Sequence, residues 1–205
     1  MTTCYKAVRP DGTDFHSGAV QWAPPAGHAG EWIVRHPTAT KIGDDASEYL
    51  SVSTEPTDCT EMRWPCRLLT VEAGGDVTTP PSQYLPHKRA GVAFRVTGEL
   101  PAHMVFGPQG PHVAALIERA RHLTPDEAHT LTSVWEAAGY ADDAWAAARN
   151  AARNAACRAV DTAVALMVRG LIPTDQYDVL TRTWRTAIGP IHPDDPELVS
   201  DRGPA

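Results

Sequence analysis

The chain carries side chains that could do chemistry, but its sequence completes no catalytic set. Ser51, His87 and Asp58 supply the residue types of a hydrolase triad, in which an imidazole activates a serine hydroxyl. The Gly-x-Ser-x-Gly turn that presents such a serine is absent from the sequence, as are the glycine-rich loops that bind phosphates. We therefore interpret this triad as a chance combination of common residues.

The cysteines are candidates for metal binding or for disulfide bonds. They are Cys4, Cys59, Cys66 and Cys157. Cys59 and Cys66 stand seven positions apart, outside the usual spacing of zinc ligands, and no Cys-x-x-Cys pair occurs. The first residues lack the apolar core of a signal peptide, and no apolar run approaches the roughly 20 residues that cross a bilayer. We expect a cytoplasmic protein with reduced thiols, no metal site and no membrane contact.

Arginine-rich segments offer two candidate binding surfaces. Residues 63–67, Arg-Trp-Pro-Cys-Arg, could bind an anion or stack a base, or they could form a loop anchored by a buried tryptophan. Arg149, Arg153 and Arg158 form a stripe along a predicted helix, which is either a solvated face or a partner-binding surface. The formal net charge of −7 argues against a general nucleic-acid binder, since attraction to phosphates needs a basic face.

Short strands must position any site in the first half of the chain, because turn residues break its apolar runs. The predicted strands cover residues 4–9, 18–22, 31–35, 48–53, 67–71 and 91–97, and residues 103–106 are a further candidate. Residues 74–90 hold prolines and glycines without clear periodicity, which predicts a long loop. We expect a mostly antiparallel sheet or a small barrel over residues 1–110.

Helices dominate the prediction after the Gly- and Pro-rich segment 107–111. Thr124, with Pro125 and Glu127 after it, carries the start signal of a helix that should end near Gly139. The other predicted helices cover about 113–120, an alanine-rich stretch at 142–169, and 173–188. We expect a helical bundle or hairpin over residues 111–190 and an acidic, proline-rich, extended or disordered tail over 191–205. With the strand-rich half, this predicts the α+β class.

Apolar spacing predicts the buried faces of the last two helices. The expected core face of the alanine-rich helix holds Val164, Met167 and Val168. The expected core face of the last helix holds Tyr177, Leu180, Trp184 and Ile188.

Two segments and the alanine-rich helix carry a resemblance to a known group of proteins. Residues 5–15 read Tyr-Lys-Ala-Val-Arg-Pro-Asp-Gly-Thr-Asp-Phe, residues 49–54 read Tyr-Leu-Ser-Val-Ser-Thr, and the helix precedes Leu171-Ile172. In these features the chain resembles uncharacterised proteins of actinobacteria and their phages, which join such an N-terminal domain to a variable helical region. The resemblance covers most of the chain and implies no particular activity.

The first half is also similar to mono-ADP-ribosyltransferases in the order of three residues. Arg9 near the first strand, then Ser53 and Thr54 near a central strand, follow the order of that family's cofactor-binding residues. The resemblance implies NAD as cofactor, with Arg9 holding a phosphate and Ser53 bracing the nicotinamide ribose. Where the family has its catalytic glutamate turn, the chain reads His-Lys-Arg-Ala and holds no acid, with Glu72 and Glu99 as the nearest substitutes.

The sequence therefore supports two hypotheses about function. The first is a non-enzymatic binding protein, a phage or mobile-element accessory factor acting on a host protein. The incomplete catalytic sets and the well-built helical region favour it. The second is an NAD- or ADP-ribose-binding domain related to mono-ADP-ribosyltransferases, either active or degenerate. Homo-oligomerisation is open under both.

Overall fold

The computed structural model describes residues 3–59, 62–80, 86–135 and 151–195. The chain divides into two compact units, Met1–Gly107 and Pro108–Ala205. Strands and short 3-10 turns make up the first unit, and α-helices make up the second. This confirms the α+β class predicted from the sequence.

An open antiparallel sheet forms the first unit. Its seven described strands are β1 (Cys4–Val8), β2 (Trp32–Arg35), β3 (Leu50–Ser53), β4 (Arg67–Ala73), β5 (Val77–Thr78), β6 (Lys88–Gly91) and β7 (Ala93–Leu100). Their order across the sheet is β2-β7-β4-β1-β3-β6-β5, and each pair of neighbours is antiparallel. Within the described residues the end strands β2 and β5 do not pair. The antiparallel sheet is therefore confirmed, and the alternative of a small barrel is wrong.

The core of this unit covers one face of the sheet. It consists of Cys4, Val8, Trp22, Ala23, Val34, Leu50, Val52, Leu69, Val71 and Phe94. Side chains alternate between the two faces of a strand, so Lys6 shares the core-facing side of β1 with Cys4 and Val8. Because β1 is the middle strand of the sheet, this places a charged side chain at the rim of the core.

Three parts of the strand prediction are wrong. Strand β5 and the first three residues of β6 lie within 74–90, which was expected to be a loop, and β6 begins with charged residues that lack apolar alternation. Residues 18–22 form no strand beyond one bridge between Thr13 and Gln21, because local hydrogen bonds to Asp14 hold them as a loop. Residues 103–106 lie in a 3-10 segment, Ala102–Gln109.

Four described α-helices make up the second unit: α1 (Gly110–Arg121), α2 (Pro125–Trp135), α3 (Ala151–Met167) and α4 (Thr174–Ala187). The predicted start of α2 is confirmed. The Glu127 amide donates to Thr124 Oγ1 at 3.2 Å, and the Thr124 amide donates to Glu127 Oε2 at 2.9 Å. The expected end at Gly139 lies outside the described residues. Among these helices, none is long and apolar enough to cross a membrane.

The helical core uses small residues where larger ones were expected. Leu116, Leu131, Ala159 and Trp184 form its buried cluster. On α3 the buried positions are Ala159, Thr162, Ala165 and Leu166, whereas Val164 and Met167 are exposed, so the predicted core face is wrong. On α4, Tyr177 and Trp184 are buried as predicted, but Leu180 is exposed. Small side chains allow neighbouring helices to approach closely. The larger side chains of α3, such as Val164 and Met167, therefore lie on its solvent-exposed side.

The predicted tail begins as folded structure. Asp195 is buried, and its Oδ2 accepts the amides of Ile191 at 3.1 Å and His192 at 3.0 Å. Its Oδ1 also accepts the Tyr177 hydroxyl at 3.1 Å. The chain up to Asp195 is therefore anchored on α4, and residues 196–205 lie outside the described residues.

Replacing Phe94 by alanine tests the packing of the sheet. The ring is 0% exposed and its centroid lies 5.9 Å from that of Trp22, so truncation leaves a cavity. We expect the free energy of unfolding of this unit to fall by about 3–5 kcal/mol. Ile33→Ala, at an exposed position of β2, should lower it by less than about 1 kcal/mol. Urea unfolding followed by fluorescence and circular dichroism makes the comparison, and equal losses would contradict this packing.

Candidate functional site

A cavity of about 490 Å³ opens beside β1 and β3 in the strand-rich unit. Its walls come from β1, from the loop after β1, from residues 36–38, and from the turn Ala46–Glu48 with β3. The polar residues that line it are Lys6, Asp14, His16, Ser17, His36, Thr38, Ser47, Tyr49, Ser51 and Lys88. Ligand pockets commonly have this size and combine apolar walls with a few polar groups.

Lys6 is the cationic group on the core-facing side of this cavity. Its Nζ donates to the Ser51 backbone oxygen at 2.9 Å and lies 5.0 Å from the centroid of the Trp22 ring. An ammonium that leaves bulk water needs such acceptors and an aromatic face to offset the loss of hydration. These contacts hold Lys6 at the wall of the cavity.

Asp14 organises the loop that forms another wall. Its carboxylate accepts the Ser17 amide at 2.6 Å, the Ser17 hydroxyl at 2.8 Å and the Val20 amide at 3.0 Å. Burial raises the pKa of this carboxyl, but the hydrogen bonds from residues 17–20 together outweigh burial and lower it below its ordinary value. Donors within the loop therefore satisfy the negative charge of Asp14.

Gly12 allows this loop to close against the end of β1. Its φ is +88°, and its carbonyl accepts the amides of Trp22 at 2.9 Å and Ala23 at 3.1 Å. A Cβ at this position would lie 2.7 Å from that of Ala23, so a larger residue would be both strained and crowded. The Pro10-Asp11-Gly12 turn thus carries Trp22 back to the core beside Lys6.

The remaining polar groups also favour an acceptor-rich ligand. His36 Nδ1 accepts the amides of Thr38 at 3.2 Å and Ala39 at 2.8 Å, so the neutral ring carries its hydrogen on Nε2. This nitrogen can then donate. With the Asp14 carboxylate held by three donors, the cavity wall combines Lys6 and Lys88 with imidazole and hydroxyl donors.

The predicted NAD-binding residues occupy different surroundings. Arg9 lines a second cavity, of about 410 Å³, together with Arg63, and its Nη2 donates to the Phe15 carbonyl at 3.3 Å. Thr54 lies against the chain before β6, where its amide donates to the His87 carbonyl at 2.8 Å. Ser53 lines neither of these two cavities. The structure therefore brings Ser53 and Thr54 to β6 and Arg9 to a separate depression.

Ser53 belongs to a buried polar cluster with Lys88. The Ser53 hydroxyl donates to the Asp58 carbonyl at 2.8 Å, and Lys88 Nζ donates to Ser53 Oγ at 2.9 Å and to the Asp58 carbonyl at 2.6 Å. A serine beside a lysine can act as a nucleophile when the amine accepts the hydroxyl proton. Here the lysine is the donor, and Ser53 is 1% exposed, which closes it to substrate. This arrangement links β3 to β6.

The acids nearest to the expected catalytic position are held in ion pairs. Glu99 accepts from Arg67 Nε at 3.0 Å and from Arg67 Nη2 at 2.6 Å, and this bidentate contact lowers the pKa of Glu99. Glu72 pairs with Arg95. Both acids therefore have structural partners on the sheet. Of the three residues that supply the types of a hydrolase triad, His87 Nδ1 lies 3.8 Å from Asp58 Oδ2, whereas Ser51 lines the larger cavity.

The described cysteines are buried thiols. Burial raises the pKa of Cys59, and it raises the pKa of Cys66 to about 11. Thiols of this kind stay protonated and react slowly at neutral pH. The described part of the chain contains no group of three or more His, Cys, Asp or Glu residues that could hold a metal ion.

The predicted partner-binding arginines lie in the helical unit. Arg149 is outside the described residues. Arg153 and Arg158 lie on α3, and only their backbone is described. The choice between a solvated face and a partner surface therefore stays a prediction for all three.

Sequence reasoning missed Lys6 and Lys88 as cavity residues. The chain has 18 basic residues, of which only Lys6, Lys41 and Lys88 are lysines, and two of these three line the larger cavity. For Lys6 the available signal was a rare lysine within a predicted short strand, whereas Lys88 fell in a segment predicted to be a loop and had no such signal. The cavity itself depends on pairings across the sheet, which the sequence does not display.

Known protein families, curated proteins and solved structures include no significant match to this chain. The resemblances to actinobacterial and phage proteins and to mono-ADP-ribosyltransferases therefore stay predictions.

Asp14→Asn tests the loop that walls the cavity. At neutral pH we expect stability to fall by about 1–3 kcal/mol, because a buried amide cannot accept from all three donors. Folding lowers the pKa of Asp14, so its contribution is present above the ordinary aspartate pKa of about 4 and is lost as pH falls through the lower folded-state pKa. The stability gap between wild type and variant should therefore narrow below about pH 4.

Thermal unfolding of both proteins across acidic pH measures this gap. Asp76→Asn, at an exposed position between β4 and β5, is the matched control and should leave stability unchanged at each pH. A gap that stays constant down to the lowest pH would overturn the role given to the Asp14 carboxylate.

Proposed function

We propose that this protein is a non-enzymatic binding protein whose strand-rich unit binds a small anionic ligand in the cavity beside Lys6. The observation that carries the proposal is the charge of the cavity wall. Lys6 and Lys88 both line the cavity. The Lys88 ammonium is bonded to Ser53 and the Asp58 carbonyl, so Lys6 is the anion-binding group proposed here and Lys88 adds positive charge nearby. The carboxylate among the described lining residues, Asp14, is held by three internal donors. Among the described lining residues, an anion entering this space meets hydrogen-bond donors and no acid other than Asp14.

The contacts of the polar groups favour binding over catalysis. Ser53 and Lys88 bond to each other and to a carbonyl, and Glu72 and Glu99 bond to arginines. Each of these groups stabilises the fold in the arrangement described. The cavity volume of about 490 Å³ suits a metabolite or nucleotide-sized ligand rather than a macromolecule.

The setting of this function is also part of the proposal. Following the resemblance carried by residues 5–15 and 49–54, we place the protein in the cytoplasm, as an actinobacterial or phage accessory factor that acts on a host protein. Buried thiols that stay protonated are compatible with a reducing compartment. The action of the protein on that partner would then depend on whether a metabolite is bound in the first unit.

Lys6→Met tests the anion site because it keeps the length of the side chain and removes its charge. Calorimetric titrations with inorganic phosphate, AMP and ADP-ribose should detect binding of at least one of these anions to the wild type. We expect the variant to bind that anion at least about tenfold more weakly. Melting temperature should rise with the bound anion in the wild type, as binding to the folded state requires.

Lys41→Met is the matched control. Lys41 is exposed and does not line the cavity, so its loss removes the same charge without touching the site. Equal weakening by both substitutions would mean that only overall charge matters. Failure of the wild type to bind any of the three anions at millimolar concentration would overturn the proposal.

A second candidate function is an NAD- or ADP-ribose-binding domain that uses Arg9. The observation that favours it is the second cavity, of about 410 Å³, which Arg9 and Arg63 both line together with Asp11. Paired guanidinium groups suit the phosphates of a dinucleotide.

Arg9→Ala separates the two candidate functions. If NAD binds through the second cavity, this substitution should reduce affinity for NAD at least about tenfold, while Lys6→Met leaves it unchanged. Arg35→Ala, at an exposed position of β2, is the control for loss of one guanidinium. NAD binding that survives Arg9→Ala would reject the second candidate.

A further inference from the structure

The helical unit exposes a concentration of large apolar side chains. Nine large hydrophobic residues are exposed among the residues that the structure describes, and six of them lie between positions 160 and 180. These six are Val160, Val164, Met167, Leu171, Val179 and Leu180. Single exposed apolar residues are ordinary, but six of them on two successive helices and the turn between them are typical of an interaction surface.

Helix α3 carries three of these residues in coiled-coil spacing, and the turn after it carries a fourth. Val160, Val164 and Met167 follow one another at intervals of four and three positions, the a/d spacing of a helix-pairing seam, and Leu171 lies in the turn beyond them. Val160 is 60% exposed and Leu171 is 84% exposed. The same helix buries Ala159, Thr162, Ala165 and Leu166 on its opposite side. Helix α3 therefore packs into the core through these residues and not through its exposed apolar side chains.

Helix α4 carries the charges that indicate which partner fits. Asp175 and Arg182 are exposed and stand seven residues apart, so they lie on the same side of the helix with Val179 between them. Within the described residues, neither of the two forms an ion pair, whereas Asp178 is held by Arg185 at 2.7 Å. Opposite charges placed symmetrically about an apolar residue make this face complementary to itself.

An antiparallel copy of α4 satisfies both charges at once. A two-fold axis that crosses the helix midway between positions 175 and 182 brings each Asp175 to Arg182 of the second copy and places the two Val179 side chains near the centre. Such an interface is isologous, since the same surface serves both copies. Antiparallel helices also align their dipoles favourably.

We propose that the outer faces of α3 and α4 form the surface through which two copies of this chain associate. The seam of α3 supplies apolar area, and the Asp175–Arg182 pairs of α4 set the antiparallel register. A host protein would need no such internal symmetry of charge, which is why the observations favour a second copy. This inference is independent of the anion site, because it concerns the helical unit alone.

Analytical ultracentrifugation of the full chain over a range of concentrations tests the proposal. The wild type should show a reversible monomer–dimer equilibrium. Asp175→Arg or Arg182→Asp alone should raise the dissociation constant at least about tenfold, because each replaces two attractions by two repulsions. The double variant carrying both substitutions restores opposite charges across the two-fold axis and should recover the wild-type constant.

Substitutions in the apolar faces test the two helices separately. Val164→Glu and Val179→Glu should each raise the dissociation constant at least about tenfold, since each buries a charge in the interface. Val77→Glu, at an exposed position in the strand-rich unit, and Asp76→Arg are the matched controls and should leave association unchanged. Circular dichroism and melting temperature verify that every variant folds, which these exposed positions should allow.

Four results would overturn the proposal. A wild type that is monomeric at millimolar concentration excludes the dimer. Single charge reversals that leave association unchanged, or a double reversal that recovers nothing, exclude the antiparallel register. An unaffected Val164→Glu variant excludes α3 from the surface. Loss of phosphate or nucleotide binding would not accompany any of these outcomes, so failure here is separable from failure of the proposed function.

Discussion

The strand-rich unit depends on one constraint: the middle strand of its sheet carries a lysine on the side that faces the core. Burial of an unsolvated ammonium costs several kcal/mol, so the surrounding chain must supply acceptors and leave room for polar contact. The Ser51 carbonyl and the Trp22 ring meet this need for Lys6. The loop braced by Asp14 brings Trp22 into place. Lys6 therefore stands where the core of the sheet meets the cavity beside β1 and β3.

Local signals explain the elements that the sequence predicted well. Alternation of Phe94 and Val96 with their neighbours requires only the period of a strand, and β7 formed as expected. Thr124 and Glu127 lie three residues apart, so the start of α2 could be read from a single turn. Strand β6 had no such signal. Its Lys88 is satisfied by Ser53 and Asp58, which lie 35 and 30 residues away along the chain.

The pairing of strands that are distant in the sequence also explains why the candidate site was predicted only in part. Arg9, Ser53 and Thr54 appear in a suggestive order along the chain, but order in sequence does not fix order in a sheet. Strands β1 and β3 are neighbours through the Tyr5–Ser53 pair, whereas Arg9 follows the end of β1 and turns towards Phe15. On α3 the helical periodicity was predicted correctly, but the buried face was assigned to the wrong residues. Small residues such as Ala165 pack inward, so the expectation that the larger Val164 would be buried was wrong.

The two ends of the sheet have a further consequence for behaviour in concentrated solution. Strand β2 has four residues and β5 has two, so each outer edge presents few unpaired backbone groups to a neighbouring chain. Short edges of this kind hinder the strand-to-strand stacking through which sheet proteins assemble into fibrils. The short edge strands of the first unit therefore disfavour amyloid-like growth through its sheet.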